Sequence, residues 1–270
     1  MKYPIIGLCG PSGCGKDTVA QMLCKDELGV MIAQADVMKR FLKQVLGFSD
    51  ETLWGPSSAR NNPEGRFKSP DTWKEVHDNL NRYCHEFCKE VGIFDQRPIR
   101  ALFADLEHQG SRDGLNARRP LQLLGTEVGR VSSPDIWSKY ALDVARKALT
   151  GGYMYDRAQG LIRKDGFLGY DFAVINDLRF RNELLNIKEL GGTVVKILNP
   201  KDESAAVDTA GVRGHASEAQ LKNIPDEWFD FYILNDKSRG LEKLRADVAS
   251  LGRQVFTHST FVYGTPRSQS

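Results

Sequence analysis

A glycine-rich stretch near the start of the chain has the residue types and spacing of a phosphate-binding loop. It runs Gly10-Pro11-Ser12-Gly13-Cys14-Gly15-Lys16-Asp17-Thr18. The glycines allow successive backbone N–H groups to turn toward phosphate oxygens, and the lysine can reach the terminal phosphates of a bound nucleotide. A helix that begins near Gly15 adds the partial positive charge of its N-terminus. The stretch therefore predicts a site for the phosphates of a nucleoside triphosphate.

The segments on either side of this loop have the patterns that such a loop requires. The segment before it, 3–9, is short and mostly apolar, which is typical of a buried strand. After the loop, apolar residues recur with helical spacing from Val19 to Cys24. Strand, loop and helix in this order favour a phosphate-binding loop over a simple glycine-rich turn.

The residue after the lysine departs from the usual pattern, in which a serine or threonine hydroxyl ligates magnesium. That position is Asp17, and a hydroxyl follows one residue later at Thr18. A carboxylate can hold a magnesium ion through water, or it can orient another group. Both residues are therefore candidate metal ligands, and the role of Asp17 is open at this stage.

A second stretch, residues 118–131, predicts a helix with one apolar face and one polar face. The apolar face carries Leu121, Leu124, Val128 and Val131. The opposite face carries Arg119, Gln122, Thr126 and Arg130. Guanidinium groups bind phosphate oxygens bidentately and an amide can contact the edge of a base, so this face suits a phosphomonoester. A solvated helix face is the alternative interpretation.

The two glycines of this helix and a nearby tryptophan are further candidates. Gly125 and Gly129 each weaken a helix by about 1 kcal/mol relative to alanine, which indicates close approach of another group. Trp137 follows at the start of the next predicted helix. Stacking on a base and filling the core are equally compatible with its position.

Four basic residues elsewhere are candidates for the site. Lys39 and its neighbour Arg40 follow a predicted strand at 30–33, at the edge where open α/β sheets bind ligands. Solvated charges on a helix are the alternative. Segment 49–71 is rich in helix breakers and predicts a long loop that can close over a substrate, carrying either Arg60 or Arg66 into the site.

An acidic candidate follows a later apolar strand, 171–177, which ends in Asp177. A carboxylate there can orient magnesium or a reacting oxygen beside a phosphate loop. Arg179 and Glu183 come on the next turn, where an ion pair that locks the loop is the alternative.

The remaining predictions concern secondary structure. Strands are expected at 193–198 and 231–234, and helices at 71–91 and from 241 to 251, with a loosely held tail after about 253. Segments 92–117 and 150–170 have no clear period and are predicted to be irregular. His77, Cys84 and Cys88 share one face of the helix at 71–91, where core packing is favoured over a metal site.

Length and composition indicate one large α/β domain. With 270 residues, 41% of them hydrophobic, the chain can bury a substantial core, so we predict a single domain spanning 1–270. Its insertions are expected at about 49–117, on the substrate side, and at 150–170. A lid is expected at about 199–216.

Charge and cysteine content restrict the partners and the compartment. The 37 Lys and Arg residues against 35 Asp and Glu residues give a formal net charge of +2, too small a field for stable binding of nucleic acid. Five cysteines, an odd number, favour free thiols in a reducing compartment. No signal peptide precedes the first strand, and no apolar run reaches the roughly 20 residues of a membrane span. We therefore expect a soluble cytoplasmic protein with small-molecule partners, and a homodimer is an open option.

Several motifs together resemble the bacteriophage deoxynucleoside monophosphate kinases, a branch of the P-loop kinase fold. The motifs are Gly15-Lys16-Asp17-Thr18, Ala35-Asp36-Val37-Met38-Lys39, the stretch from Arg119 to Arg130, the stretch from Asp177 to Glu183, and Asn235-Asp236. The resemblance implies a P-loop kinase-like parallel sheet flanked by helices, with insertions that form the substrate-binding and lid regions. It also implies transfer of the γ-phosphoryl group of ATP, with Mg²⁺, to a deoxynucleoside monophosphate for phage DNA synthesis in the host cytoplasm.

The resemblance also assigns roles to residues. ATP would be held by Gly13, Gly15, Lys16, Asp17 and Thr18, with Asp17 and Thr18 near the metal. Catalytic roles would fall to Lys16, Arg119, Asp177 and Arg179. The monophosphate would be held by Ser12, Met38, Lys39, Arg66, Arg119, Gln122, Gly125, Thr126, Arg130, Trp137, Asp177, Arg179 and Glu183.

Two other classes of function fit the same loop. One is a kinase for another phosphorylated metabolite, of the dephospho-coenzyme A or phosphomevalonate type. The other is a P-loop ATPase acting on nucleic acid, which the near-neutral charge disfavours.

Overall fold

The computed structural model describes residues 3–11, 13–25, 28–56, 58–200 and 224–260, and for 256–260 the backbone alone. The chain divides into two compact units. Unit 1 contains residues 1–33, 141–155 and 163–270, and unit 2 contains residues 34–140 and 156–162. The grouping of all 270 residues into one domain with insertions stays a prediction.

The secondary structure of the described residues consists of strands, α-helices and one π-helix, with short 3₁₀ turns between them. The strands are β1 (Ile5–Cys9), β2 (Gly29–Ile32), β3 (Tyr153–Asp156), β4 (Gly160–Arg163), β5 (Phe172–Leu178), β6 (Thr193–Leu198) and β7 (Phe231–Leu234). The α-helices are α1 (Lys16–Leu23), α2 (Asp36–Leu46), α3 (Asp50–Trp54), α4 (Pro70–Val91), α5 (Arg97–Asp113), α6 (Arg118–Leu123), α7 (Ile136–Thr150), α8 (Arg181–Glu189) and α9 (Gly240–Thr260). The π-helix is Leu124–Arg130. The 3₁₀ turns are Ala59–Asn61, Gly65–Lys68, Asp226–Trp228 and Lys237–Arg239.

Unit 1 is built on a five-stranded sheet in the order β2-β5-β1-β6-β7. Each neighbouring pair of strands runs parallel. Because parallel sheets are covered on both faces, their central strands are apolar throughout, and all five residues of β1 are buried. This architecture confirms the predicted fold class, a P-loop kinase-like parallel sheet flanked by helices.

Helices cover both faces of this sheet. Val19 of α1 and Leu244 of α9 share one apolar cluster with Ile6 of β1. The neighbouring residue, Gly7, faces the other way, because side chains alternate along a strand. A methyl group on Gly7 would lie 2.4 Å from Cδ1 of Ile187 in α8. The sheet therefore has α1 and α9 on one face and α8 on the other.

Unit 2 is mostly helical and has its own hydrophobic core. Phe41 of α2 stacks on Phe87 of α4, with ring centroids 4.1 Å apart and planes 13° from parallel. Phe103 of α5 meets the same Phe41 ring edge-on, at 6.0 Å. This aromatic group joins three helices, so the polar residues carried by unit 2 stand on a packed core.

Three segments differ from the predictions. Segment 49–71 is not a long loop: it holds α3 and two 3₁₀ turns, anchored by the buried Phe67. The Nε1 of Trp73 donates to the Phe67 carbonyl at 2.6 Å. Segment 92–117 contains α5, whose buried residues follow the helical spacing that the prediction overlooked: Ile99, Leu102, Phe103 and Leu106.

The segment predicted as irregular at 150–170 contains the two-stranded sheet of β3 and β4. The Asp156 carboxylate forms the turn between them by accepting from the amides of Ala158 and Gln159. Helix α9 continues to Thr260, past the point at about 253 where a loose tail was predicted. Most of the predicted lid, about 199–216, lies outside the described residues, so the lid stays a prediction. No helix among the described residues is both long and apolar enough to cross a membrane.

The aromatic core of unit 2 generates a stability prediction. Phe41→Ala should lower the free energy of unfolding by about 3–5 kcal/mol, because the buried ring is lost and a cavity remains. Phe94→Ala is the matched control, since Phe94 is fully exposed and its loss should change stability by no more than about 0.5 kcal/mol. Urea unfolding followed by circular dichroism measures both values. Equal losses for the two variants would contradict this packing.

Candidate active site

The phosphate loop lies between β1 and α1 in unit 1, where its glycines adopt conformations that other residues avoid. Gly13 has φ +81° and Gly15 has φ +101°. A methyl group on Gly13 would meet no atom of the described residues within 4 Å. A methyl group on Gly15 would lie 2.1 Å from Nδ2 of Asn235. Gly13 therefore has free space above it in the described part of the chain, whereas Gly15 is closely packed. Ser12, a predicted substrate residue of this loop, lies outside the described residues.

The ammonium group of Lys16 is held by the loop itself. Its Nζ donates to the carbonyl oxygens of Gly10 at 2.6 Å and Pro11 at 2.8 Å. The side chain is largely buried. A buried charge is tolerated only where hydrogen bonds replace those of water, and these carbonyls supply them. The lysine is therefore fixed at the loop that the sequence assigned to phosphate.

A buried asparagine from the end of β7 supports the loop from behind. The Nδ2 of Asn235 donates to the Cys14 carbonyl oxygen at 2.8 Å. This amide lies where a side chain on Gly15 would be. Asn235 therefore packs against the loop backbone at Cys14 and Gly15.

Asp17, in the first turn of α1, is paired with a residue that the sequence analysis did not single out. The Nδ2 of Asn176 donates to Asp17 Oδ1 at 2.5 Å. Asn176 is only 5% exposed, whereas Asp17 is exposed. The sequence signal for Asn176 is that it is a polar residue in an otherwise apolar strand. It directly precedes Asp177, the predicted acidic candidate.

The strand β5 is irregular where it passes the phosphate loop. Gly7 of β1 pairs with Ile175, and Cys9 pairs with Leu178. Two residues along β1 therefore correspond to three residues along β5. The extra residue on β5 falls at Asn176 or Asp177. Such bulges change the direction in which side chains point and are common beside active sites. The irregular pairing lies at the end of β5 from which Asn176 reaches Asp17.

Glu183 holds the turn between β5 and α8. Its Oε2 accepts from the backbone N–H of Arg179 at 2.7 Å and of Phe180 at 3.0 Å, and the residue is 1% exposed. A carboxylate at a helix N-terminus also interacts favourably with the helix dipole. Glu183 therefore orders the backbone beside Asp177 and Arg179, which are both half-buried.

The thiol next to the loop is not a nucleophile. Burial raises the pKa of Cys9 from its ordinary 9.0 to about 12, and the nearby Lys16 cation offsets only part of that rise. The thiol is neutral at physiological pH, and Cys9 acts as a small apolar residue in β1.

In unit 2, the predicted polar helix is α6 followed by the π-helix. Arg119 and Gln122 on α6 are exposed, and Thr126 and Arg130 on the π-helix are half-buried. π-Helices are rare and occur frequently at functional sites. The wider turn changes the predicted apolar face: Leu124 and Val128 are buried, but Val131 is 76% exposed. The prediction that Val131 belongs to that face is wrong for this reason.

The polar residues of this helix are partly engaged with its own backbone. The Thr126 hydroxyl donates to the Gln122 carbonyl oxygen at 2.8 Å. Nη1 of Arg130 donates to the Pro134 carbonyl oxygen at 3.2 Å. The Arg119 guanidinium stands on the exposed surface, while its backbone N–H donates to Oδ1 of Asn116 at 3.1 Å. Two guanidinium groups, a hydroxyl and an amide thus stand on one continuous helical segment.

Trp137 packs beneath this helix. The indole is 2% exposed, and its Nε1 donates to the Gly125 carbonyl oxygen at 2.8 Å. A methyl group on Gly129 would lie 2.1 Å from the indole Cζ2. The sequence left open whether Trp137 stacks on a base or fills the core, and in the structure it fills the core. The glycine at 129 is explained by the same contact.

The other predicted substrate residues of unit 2 have identified neighbours. Lys39 lies 3.8 Å from the Asp36 carboxylate, which also accepts from Trp54 Nε1 at 2.8 Å. Met38 is buried, with its sulfur beside Gly125. Asp36, Met38 and Lys39 thus lie together in the first turn of α2.

Both arginines of segment 49–71 have structural partners. Nη2 of Arg66 donates to the Leu46 carbonyl oxygen at 2.7 Å, and its guanidinium lies over the Phe67 ring at 4.2 Å. Nη1 of Arg60 donates to the Leu53 carbonyl oxygen at 3.1 Å. The choice between them as a substrate residue stays open.

A metal ion in unit 1 would have few ligands from the protein. Among the described residues, no group of three or more His, Cys, Asp and Glu side chains could hold an ion together. Magnesium suits such a site, because it commonly takes one or two carboxylates, substrate phosphates and several waters. The exposed carboxylate of Asp17, with the Thr18 hydroxyl next to it, fits that pattern.

The chain is similar over most of its length to two viral kinases. A protein of Acanthamoeba polyphaga mimivirus named as a deoxynucleotide monophosphate kinase is 26% identical over 87% of this chain and 89% of its own length. The deoxynucleoside-5'-monophosphate kinase of Escherichia phage T5 is 25% identical over 90% of this chain and 94% of its own length. No family model matches the chain. The resemblance to viral deoxynucleoside monophosphate kinases is thus confirmed, and it extends beyond the motifs to about nine tenths of the chain.

The packing of Trp137 generates a prediction for the two glycines of the π-helix. Gly129→Ala should lower the free energy of unfolding by about 1–3 kcal/mol, because the new methyl group must displace a buried indole. Gly125→Ala is the matched control: its nearest neighbour, the Met38 sulfur, would lie at an ordinary 3.5 Å. Helix propensity favours alanine there by up to about 1 kcal/mol. Urea unfolding measures both, and a larger loss for Gly125→Ala would contradict the assigned position of the indole.

Proposed function

We propose that this protein is an ATP-dependent kinase that transfers the γ-phosphoryl group to a deoxynucleoside monophosphate, giving the diphosphate and ADP. The observation that carries the proposal is the phosphate loop with its fixed Lys16, in a chain similar along most of its length to kinases named for that reaction. The product would supply precursors for viral DNA synthesis in the host cytoplasm.

We assign ATP to the loop of unit 1. The described residues leave space above Gly13, as an anion cradle of backbone N–H groups requires. Lys16 already lies at the loop, and it can exchange its two carbonyl partners for the β- and γ-phosphate oxygens. Asn235 keeps the loop in place while that exchange occurs.

Asp17 and Thr18 would hold magnesium together with the phosphates. When bound, the ion neutralises charge that develops on the transferred phosphoryl group. Asp177 and Arg179 follow on the turn that Glu183 orders, and we assign them to the phosphates as the resemblance implies.

We assign the monophosphate to the helical segment of unit 2. Arg119 and Arg130 supply guanidinium groups for its phosphate, and Gln122 supplies an amide for a base edge. Lys39, Thr126 and the backbone at Gly125 stand on the same unit and complete the set. Trp137 contributes by supporting this segment from the core.

The chemistry asks for positioning and charge neutralisation rather than a strong base. A phosphomonoester has its second pKa near 6, so its oxygen is already a nucleophile at neutral pH. The guanidinium groups reduce the repulsion between two phosphate groups that must meet in line. An acceptor site rich in arginine is the expected outcome.

Substitution of the cationic residues tests the proposal. Lys16→Ala should lower kcat by roughly 10²–10³-fold, the usual effect of removing one charge-stabilising donor. Arg119→Ala and Arg130→Ala should each raise the KM for the monophosphate by about 10–100-fold and leave the KM for ATP unchanged, because each removes charged hydrogen bonds to that substrate alone. A coupled assay for ADP measures both constants.

The control is Arg112→Ala, which removes an exposed arginine of α5 and should leave both constants unchanged. The wild-type protein is assayed with each of the four common deoxynucleoside monophosphates and with DNA alone. Turnover with dephospho-coenzyme A or phosphomevalonate but with no deoxynucleotide would replace the proposal by the metabolite kinase. ATP consumption that depends on DNA would replace it by the nucleic-acid ATPase.

A further inference from the structure

The pair formed by Asp17 and Asn176 is unusual for a phosphate site. A carboxylate repels phosphate, yet Asp17 stands directly after Lys16 and is exposed at the start of α1. Asn176 approaches from the bulged end of β5 and holds Oδ1 of that carboxylate at 2.5 Å. The positive end of the α1 dipole favours Asp17 while the loop is empty, but once phosphate is bound the two negative charges repel unless a cation lies between them.

The orientation of the Asn176 amide follows from its partner. An ionised carboxylate only accepts hydrogen bonds, so the NH₂ end of the amide must face Asp17. The carbonyl oxygen, Oδ1, then points elsewhere. It is buried, and no donor reaches it from the described part of the chain. A buried acceptor without a donor is costly, which points to a donor that arrives with a ligand.

The chemistry of the ligand can be narrowed by the same reasoning. Phosphate oxygens are acceptors at neutral pH, so a bound phosphate offers Asn176 Oδ1 nothing. Magnesium keeps several of its waters when it binds beside phosphates, and those waters are donors. An exposed carboxylate and an unsatisfied carbonyl oxygen are the two groups that a hydrated divalent cation attracts.

We propose that Asp17 and Asn176 together form the cation-binding end of the phosphate loop. Asp17 provides the negative charge for a divalent cation. Asn176 is a positioning residue that orients this carboxylate through its NH₂ group and accepts a hydrogen bond from a cation-bound water through Oδ1. The inference rests on the proposed assignment of ATP to the loop. It adds a residue from β5 and gives Asp17 its orientation.

Binding measurements separate this role from a structural one. ATP affinity is measured by calorimetry with Mg²⁺ and with EDTA, and the ratio of the two affinities is the Mg²⁺ enhancement. Asn176→Ala should reduce the enhancement by about 10–100-fold, as the loss of a residue behind a metal ligand commonly does, with metal-free ATP affinity unchanged. Asp17→Asn keeps an acceptor for Asn176 but removes the charge. It should therefore abolish the enhancement without weakening metal-free binding.

The matched control is Asn235→Ala, which removes the other buried asparagine at the loop. The side-chain amide of Asn235 donates to loop backbone, at the Cys14 carbonyl oxygen. Its loss should lower ATP affinity equally with and without Mg²⁺. Thermal unfolding establishes that each variant is folded, and the exposed Asp17→Asn substitution keeps the test available if Asn176→Ala fails to fold.

An exchanged pair, Asp17→Asn with Asn176→Asp, completes the design. It rebuilds the hydrogen bond with its polarity reversed, so thermal stability should return to the wild-type value while the Mg²⁺ enhancement stays low. Recovery of the enhancement as well would mean that the site does not need its carboxylate at position 17, and this would overturn the assignment of the two roles. A wild-type enhancement in Asn176→Ala would do the same. Failure of the proposed function looks different, because the wild-type protein would then bind no ATP or phosphorylate no deoxynucleotide.

Discussion

The structure of unit 1 depends on keeping a buried ammonium group at the end of a parallel sheet. Lys16 is held there by two loop carbonyls, and the loop that presents them needs left-handed backbone at Gly13 and Gly15. A charge in such a place is stable only while those carbonyls stay in position. Asn235 fixes the loop from β7, and Asn176 fixes the first turn of α1 from β5. The side-chain amides of two buried asparagines thus hold the loop and the start of α1 in place.

Most of unit 1 could be predicted from the sequence because its signals are local. The apolar runs at β1, β5 and β6 and the glycine spacing of the loop each lie within a few residues, and the parallel sheet follows from strands that alternate with helices. Asn176 could not be chosen over Asp177 in this way. The contact of Asn176 with Asp17 depends on the irregular end of β5, where the pairing with β1, far away in the chain, shifts register.

Unit 2 was predicted less well for a related reason. The polar residues of segment 118–131 were identified correctly as lying on a helix, but the change from α-helix to π-helix at Leu124 was not. That change moves Val131 out to solvent, and it accompanies the fit of Trp137 against Gly129. Contacts between side chains from different helices set the register, and no periodicity within one helix contains that information. Segment 92–117 is a different case, because the spacing of α5 was present in the sequence and was overlooked.

The two units would recognise phosphate by different means, and this difference bears on how such a chain can diverge. Unit 1 offers backbone N–H groups and one fixed lysine, whose positions depend on the loop glycines and on the two supporting amides. Unit 2 offers the side chains of Arg119, Gln122 and Arg130, whose positions depend on the π-helix and on the indole beneath it. Any selectivity for the acceptor nucleotide would therefore arise in unit 2, where a single packing change can shift several contacts together.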